Sequence, residues 1–353
     1  MKPQKPKALT ISQVAAAAGV NRSSVSRAFS HPELLKPETV QRINAIAKQL
    51  GYVPNRSARA LSTGRHGNLA LIVPDVANPF FPPLIRAAQN EADRADFCVF
   101  LGNSDEDPKQ EEKLVSRLLG QVEGVVLASP RLSDERIRAH AAAKPLVLIN
   151  RDVSGIPRVL IDSGSGVSQA VDHLAEAGHR RIVYVSGPST SWSNKQRRAA
   201  VKKACTRLEL EMAIVAAQVP SYEAGRRSVS AILESRATGV VAFDDLTAQG
   251  ILAGLSERGI DVPGRIAVVG CDDVLGAATY PPLTTVSNRS SEAGKVAISL
   301  LLEVLGTRAV GDVRYVLETH LVVRKTTRST AALAPGSRPE ALAAGLSRGA
   351  TPV

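Results

Sequence analysis

Four side chains that carry hydrogen-bond donors lie close together near the amino terminus: Arg22, Ser23, Ser26 and Arg27. Guanidinium and hydroxyl donors of this kind suit the base edges and phosphates of DNA, and almost no acidic residue lies nearby. The chemistry of this segment is therefore recognition of a polyanion, provided that a helix presents the four side chains to solvent.

The flanking residues predict that helix and a second one before it. Thr10 and Gln13 have the spacing of a capping box, which starts a helix by satisfying its free amides. Gly19 can adopt the positive φ of a tight turn, and Asn21 can cap the helix that follows. Two short helices joined by a tight turn are expected.

Three small or branched residues make this pair a helix-turn-helix candidate. Ala15, Gly19 and Val25 fall where that motif needs a small residue at the helix crossing, a turn residue and a buried branched residue. An ordinary amphipathic hairpin in a helical bundle is the alternative. Charge favours DNA, because residues 1–66 carry a net charge of +9 and residues 67–353 only +2.

A third helix is predicted from Pro37 to Leu50, with Gly51 ending it. Asn55 can then cap a helix of about two turns that ends near Gly64, a length that is marginal alone in water. This basic segment, residues 52–66, is either a linker or a hinge helix that orders only against DNA.

The remainder of the chain alternates apolar runs with helical stretches. Such alternation implies parallel sheets covered on both faces, and two sheets of about six strands would account for roughly 260 residues. The expected strands are 69–74, 97–101, 124–128, 145–149, 159–161, 181–186, 239–243 and 265–270, and the expected helices are 84–95, 110–119, 167–177, 196–208, 246–258 and 292–305. Residues 329–353, rich in Ala, Gly, Ser and Pro, are expected to be disordered.

Ligands of open α/β sheets bind beyond the carboxyl ends of the strands, so polar residues that follow strands are the candidate ligand contacts. Trp192, the single tryptophan, could cover an apolar side of such a ligand. A loop aromatic packed on its neighbours is the alternative for Trp192, and helix capping is the alternative for each acid. The candidate stretches are 75–81, 103–105, 150–151, 186–197, 244–245 and 271–273.

An ordered series of segments resembles the lactose/galactose-repressor family of bacterial transcription regulators. The series extends from residue 10 to about 327, nearly the whole chain. The matching segments are TISQVAAAAGV, SSVSRAF, LGYVPNRSARAL, VPDVANPFF, HLAEAGHRRI, VPGRIAVVGCDD and PPLTTV. The resemblance implies an all-α helix-turn-helix headpiece and an α/β periplasmic-binding-protein-like body of two parallel-sheet lobes. It also implies a cytoplasmic, homodimeric regulator, expected to be a repressor of a pseudo-palindromic operator.

The same resemblance implies two sets of site residues. In the family, the match of Leu61 is a wedge inserted into the DNA minor groove. The expected DNA contacts are Thr10, Asn21, Arg22, Ser23, Ser26, Arg27, Asn55, Ala58 and Leu61. The expected contacts of a small sugar-like effector, with Trp192 added on the argument above, are Phe80, Phe81, Asp105, Asn150, Trp192, Ser193, Arg197, Asp244 and Asp272.

The chain departs from the family pattern at its effector residues. The family usually has Asn-Asp where this chain has Asp244 and Asp245, and an aromatic residue where this chain has Cys271. An ionised carboxylate only accepts hydrogen bonds, whereas an asparagine also donates. A ligand beside Asp244 is therefore expected to offer donors.

The sequence gives less support to an enzyme than to a DNA-binding regulator. Residues 161–169 resemble a dinucleotide loop, but Gln169 stands where the third glycine belongs. No phosphate-binding Walker loop, zinc-protease motif or nucleophile elbow occurs, and no cofactor or metal is expected. A periplasmic sugar-binding protein, the other alternative, would need a cleavable signal in place of the basic segment.

The expected domain division follows from these arguments. Residues 1–51 form the DNA-binding domain, 52–66 the hinge, 67–328 the effector-binding and dimerisation domain, and 329–353 the tail. Three cysteines without C-x-x-C spacing suit a reducing compartment, and no apolar run is long enough for a transmembrane helix.

Overall fold

The amino-terminal helices form a small bundle of their own. In the computed structural model, which describes residues 9–52, 67–217, 219–287, 289–307 and 311–327, these helices are α1 (Ile11–Ala18), α2 (Arg22–Ser30) and α3 (Pro37–Leu50), with a 3-10 turn at Pro32–Leu34. Val14, Val25 and Ile43, one from each helix, are fully buried between them. The bundle predicted from the sequence is therefore present, and its core is built from one apolar stripe per helix.

The first lobe of the body is a six-stranded sheet in the order β11-β5-β4-β3-β1-β2, with all strands parallel. Its strands are β1 (Asn68–Val73), β2 (Cys98–Asn103), β3 (Gly124–Ala128), β4 (Leu146–Ile149), β5 (Arg158–Asp162) and β11 (Arg314–Glu318). Its helices are α4 (Phe81–Asp93), α5 (Pro108–Leu118), α6 (Asp134–Ala143) and α11 (Ser290–Thr307).

The second lobe repeats this architecture with the order β12-β10-β9-β8-β6-β7, in which only β12 runs antiparallel. Its strands are β6 (Arg181–Ser186), β7 (Glu211–Ala216), β8 (Gly239–Ala242), β9 (Ala267–Cys271), β10 (Thr284–Val286) and β12 (Leu321–Val322). Its helices are α7 (Ser163–Glu176), α8 (Trp192–Arg207), α9 (Tyr222–Glu234) and α10 (Asp245–Ser256).

Alternate residues of the central strands pack on opposite faces of each sheet. In β1, Leu69 and Leu71 pack against α4 and α11, whereas Ala70 and Ile72 face the layer of α5 and α6. Because helices cover both faces, the central strands are apolar throughout. The alternation of strand and helix predicted from the sequence is thereby confirmed.

The chain passes between the two lobes three times: after β5, after β10 and after β11. Hydrogen bonds join these crossings to one another. The Thr319 hydroxyl donates to the Asp162 carbonyl at 2.7 Å. The Ser287 amide donates to the His320 carbonyl at 2.8 Å, and the His320 amide donates to the Ser287 hydroxyl at 3.0 Å. A change in lobe arrangement must therefore act on three linked segments together.

Helices α9 and α10 pack with their backbones in close approach, and glycines make this possible. A Cβ atom at Gly250 would lie 1.9 Å from the Tyr222 carbonyl oxygen, and one at Gly225 would lie 2.1 Å from the Thr247 carbonyl oxygen. Since both obstacles are backbone atoms, a side chain at either position must push the helices apart.

We predict that Gly250→Ala lowers the free energy of unfolding by about 1 to 3 kcal/mol, because the added methyl group overpacks this helix contact. Urea unfolding followed by circular dichroism measures the change. Gly120→Ala is the matched control, since a Cβ at Gly120 meets no atom within 4 Å. Equal stability of the two variants would contradict the proposed role of the α9–α10 contact.

Candidate functional site

The turn between α1 and α2 has the geometry of a helix-turn-helix. The Thr10 amide donates to Gln13 Oε1 at 2.8 Å at the start of α1, and Gly19 ends that helix with a φ of +62°. Asn21 Oδ1 accepts hydrogen bonds from the Ser24 amide and from the Ser23 hydroxyl, both at 2.7 Å. The predicted cap, turn and second cap are all present.

Helix α2 presents its polar side chains to solvent. Arg22, Ser23, Ser26 and Arg27 are all exposed, whereas Val25 and Ala28 on the opposite side are buried against α1 and α3. The exposed set is therefore available to an external partner without disturbing the bundle. The expected hinge contacts Asn55, Ala58 and Leu61 lie outside the described residues, as do most of the hinge and the whole tail.

A cleft lies between the two lobes, at the carboxyl ends of the central strands. Its position agrees with the rule for ligand sites in open α/β sheets. Both lobes contribute polar and aromatic side chains to its wall. The lining residues are Asn78, Phe80, Phe81, Glu106, Ser129, Arg131, Asn150, Ser191, Ser193, Arg197, Pro220, Phe243, Asp244 and Asp272.

The Arg197 guanidinium is the central group of the second-lobe wall. It is 5% exposed and donates to the Ser163 hydroxyl at 3.1 Å, to Asp272 Oδ1 at 2.8 Å and to the Phe243 carbonyl. Its Cζ atom also lies 4.9 Å from the centroid of the Phe243 ring. Burial raises the pKa of Asp272 to about 7, although the neighbouring Arg197 opposes that rise.

Asp244 joins the two lobes across the cleft. Its Oδ1 accepts a hydrogen bond from the Thr247 amide at 2.8 Å, which caps α10, and its Oδ2 accepts one from Asn78 Nδ2 of the first lobe at 3.1 Å. Asn78 in turn accepts from the Phe80 amide at 2.9 Å, so it also fixes the start of α4. A direct hydrogen bond inside the cleft thus joins the two lobes in this arrangement.

The first-lobe wall carries an ion pair. The Arg131 guanidinium donates to Glu106 Oε2 at 2.5 Å and to Glu106 Oε1 at 3.0 Å, and it also donates to the Ser129 carbonyl at 2.6 Å. Asn150 stands nearby with a φ of +53°, and its Oδ1 accepts from the Ile161 amide at 3.0 Å. The side chains of this wall are therefore fixed by internal hydrogen bonds before any ligand arrives.

Comparison with known proteins identifies the chain. A family model described as bacterial regulatory proteins, lacI family, matches residues 10–55, and a model described as periplasmic binding protein-like domain matches residues 171–327. The ribose operon repressor of Bacillus subtilis (strain 168) is 30% identical over 325 residues, which cover 90% of this chain and 98% of that repressor. The chain belongs to the lacI family. It is a DNA-binding transcription regulator, as the sequence predicted.

Solved structures resemble this lacI-family regulator over most of its length. The lac repressor dimer bound to operator and the anti-inducer ONPF has a TM-score of 0.83 and 26% identity, covering 92% of this chain and 100% of that chain. A lacI-family regulator from Enterococcus faecalis V583 with bound ribose has a TM-score of 0.67 and 28% identity, covering 74% and 98% respectively. The predicted headpiece and two-lobed body are confirmed.

Most effector contacts expected for the lacI-family regulator do line one cleft. They are Phe80, Phe81, Asn150, Ser193, Arg197, Asp244 and Asp272. Trp192 does not line it. It belongs to a neighbouring depression with Gln196 and Arg314, because adjacent residues on a helix point about 100° apart and Ser193 takes the direction of the cleft.

Asp105 is also displaced from the cleft of the lacI-family regulator. It is exposed, and its carboxylate accepts from Asn103 Nδ2 at 2.5 Å. The carboxylate that reaches the cleft from this loop belongs to Glu106, the next residue. Ser129 and Arg131 were missed as well, although they follow strand β3, whose end obeys the same rule that found Asn150.

Other kinds of site find no support in the described part of this lacI-family regulator. No three histidine, cysteine or acidic side chains there are grouped so that they could hold a metal ion. In the same residues, no helix is long and apolar enough to cross a membrane. The buried His173 bonds to the Thr327 hydroxyl at 2.8 Å, which is a structural contact.

A buried carboxylate supports the Arg131 loop from behind. Glu111 Oε2 accepts from the Arg131 amide at 2.7 Å and from the Leu132 amide at 3.0 Å. Burial raises the pKa of Glu111 to about 7 from an ordinary 4.5, despite these two donors. The folded state therefore favours the protonated acid, and the stability that this acid contributes is lost as the pH rises from about 4.5 to about 7.

We predict that Glu111→Gln removes this part of the pH dependence of stability, because the amide oxygen still accepts both hydrogen bonds but cannot ionise. Relative to the unmodified protein, the variant should gain roughly 3 kcal/mol in free energy of unfolding between pH 5 and pH 8. Urea unfolding at several pH values measures this, with exposed Glu135→Gln as the control. A parallel pH dependence of the Glu111→Gln and unmodified proteins would refute the assignment.

Proposed function

We propose that this regulator is a repressor of a pseudo-palindromic operator and that a small sugar-like ligand in the interlobe cleft controls its affinity for DNA. The observation that carries the proposal is the cleft itself, whose wall combines Asn78, Phe80 and Asn150 of one lobe with Arg197 and Asp272 of the other. A ligand that touches both walls favours one lobe arrangement over another.

The chemistry of the wall suits a polyol. Amide, carboxylate and hydroxyl side chains form directed hydrogen bonds, and the rings of Phe80, Phe81 and Phe243 offer apolar surface to C–H bonds. Solved structures of two similar lacI-family regulators contain bound ribose, which supports a sugar as the ligand class. The proposed effector contacts are Asn78, Phe80, Phe81, Asn150, Ser193, Arg197, Phe243, Asp244 and Asp272.

The proposed DNA contacts are Thr10, Asn21, Arg22, Ser23, Ser26 and Arg27, with α2 as the recognition helix. Its amino-terminal side chains would reach base edges in the major groove, as in other helix-turn-helix proteins. Asn55, Ala58 and Leu61 are proposed as hinge contacts on sequence grounds alone. The domain boundaries at residues 51, 66 and 328 and the cytoplasmic location are likewise proposed from the sequence.

Ligand binding and DNA binding would be coupled through the three lobe crossings. A ligand changes DNA affinity only to the extent that it binds the two lobe arrangements with different affinity. In a homodimer, an assembly supported by the similar lac repressor dimer, a change of arrangement would alter the spacing of the two headpieces on two half-sites. Footprinting of DNA upstream of the protein's own gene, with and without a panel of sugars, tests the whole proposal.

We predict that Arg22→Ala weakens binding to the preferred operator by about 1 to 3 kcal/mol and relaxes preference at one base position, because Arg22 would contact a base edge. Fluorescence anisotropy on specific and random duplexes measures both effects. The control is Arg42→Ala on α3, which removes the same charge outside the recognition helix. An equal loss on specific and random DNA would make Arg22 a phosphate contact only.

We predict that Ser193→Leu abolishes the response to the sugar and leaves DNA binding without ligand near normal. The larger side chain would fill the cleft, in which Ser193 is buried, without removing a charge. Operator titrations with and without sugar measure this, with Lys195→Leu as the exposed control on the same helix. A normal sugar response in Ser193→Leu would exclude this cleft as the effector site.

A further inference from the structure

We infer that the effector is an uncharged polyol and that the cleft rejects phosphorylated and carboxylated sugars. This inference rests on the proposed function, since it specifies the ligand class of the same cleft. It depends on the charged side chains of the cleft wall and on the groups that each of them binds.

Both cations of the wall are already paired with a carboxylate. Within the described residues, the cationic side chains that line the cleft are Arg131 and Arg197. Arg131 binds both carboxylate oxygens of Glu106, at 2.5 and 3.0 Å. Arg197 binds Asp272 at 2.8 Å and also donates to the Ser163 hydroxyl and the Phe243 carbonyl. A phosphate would have to compete with these carboxylates for the two arginines.

Helix amino termini, the other common anion-binding groups, are also occupied at this cleft. Helix α10 is capped by the Asp244 carboxylate, and α8 is capped by the Ser191 hydroxyl, which accepts from the Asn194 amide at 3.2 Å. At the start of α4, Asn78 Oδ1 accepts from the Phe80 amide at 2.9 Å. At each of these helix starts, one amide that could attract a phosphate is thus already bonded to a side-chain oxygen of the protein.

One carboxylate remains in excess. Glu106 and Asp272 are paired with arginines, whereas the hydrogen-bond partners of Asp244, which is 2% exposed, are the neutral Thr247 amide and Asn78 carboxamide. Arg197 attracts Asp244 as well as Asp272, so one guanidinium faces two carboxylates. Asp244 repels an anionic ligand, and each of its oxygens keeps acceptor capacity for a hydroxyl group. Hydroxyl groups of a neutral sugar satisfy this requirement.

The test compares matched ligand pairs by isothermal titration calorimetry on the full chain. Neutral pentoses and hexoses are titrated beside their phosphate esters and their aldonic acids. At least one neutral sugar should bind, with its charged derivatives weaker by on the order of 100-fold. A phosphate or acid that binds as tightly as its parent sugar overturns the inference. If that derivative also shifts operator binding, the proposed function stands and only the inference about ligand charge fails. If no neutral or charged sugar binds, the proposed function itself is overturned.

A pair of variants tests the cause of the discrimination. Asp244→Asn removes the excess charge with little change in shape, and its oxygen still accepts from the Thr247 amide. It should reduce the preference for the neutral ligand by about tenfold. Asp93→Asn, at the exposed far end of α4, removes a charge remote from the cleft and should leave the preference unchanged. Equal preference in both variants would show that Asp244 does not cause the selectivity.

Discussion

A buried guanidinium organises the second lobe around the cleft. A charge taken out of water must be matched by hydrogen-bonding and charged partners, and Arg197 finds them at the end of β8, at the end of β9 and at the start of α7. These three elements are distant in sequence. Their arrangement about one side chain fixes the positions of Asp272, Phe243 and Ser163, and with them half of the cleft wall.

The cleft wall of the first lobe is also held by internal hydrogen bonds, but through different residues. The Arg131 guanidinium is held by the Glu106 carboxylate, and the Arg131 backbone amide donates to Glu111. The Asn150 side chain is held by a backbone amide of β5. Both walls are therefore organised without a ligand, and the hydrogen bond from Asn78 to Asp244 spans them. A ligand that entered such a cleft would compete with this hydrogen bond for Asn78 and Asp244, and it could thereby alter the balance between lobe arrangements.

The sequence predicted the central strands better than the peripheral ones, for a physical reason. Strands buried on both faces, such as Gly124–Ala128, are continuous apolar runs that can be recognised alone. Strands β7, β11 and β12 lie at sheet edges with most of their residues partly or fully exposed, and they were not predicted; the buried β10 was also missed, because it has only three residues and two of them are threonines. Helix α4 begins at Phe81 rather than Leu84, because Pro82 and Pro83 fit the first turn of a helix.

The candidate site shows the same limit. The rule that ligands bind beyond strand ends found Asn150, Asp244 and Asp272, since each immediately follows or ends a strand. It could not decide which of two adjacent residues faces the cleft. Glu106 rather than Asp105, and Ser193 rather than Trp192, do so because of local backbone direction and helix phase, which depend on tertiary packing. The hydrogen bonds that satisfy each charge were likewise invisible before the lobes were assembled.

The three crossings also constrain how the protein is made. The first lobe needs α11 and β11 to complete its core and sheet, yet these elements follow almost the whole second lobe in the chain. During synthesis, the ribosome must therefore translate through Glu318 before the first lobe can close, and β5 waits with an unpaired edge until then. Such an edge is open to mispairing with another chain.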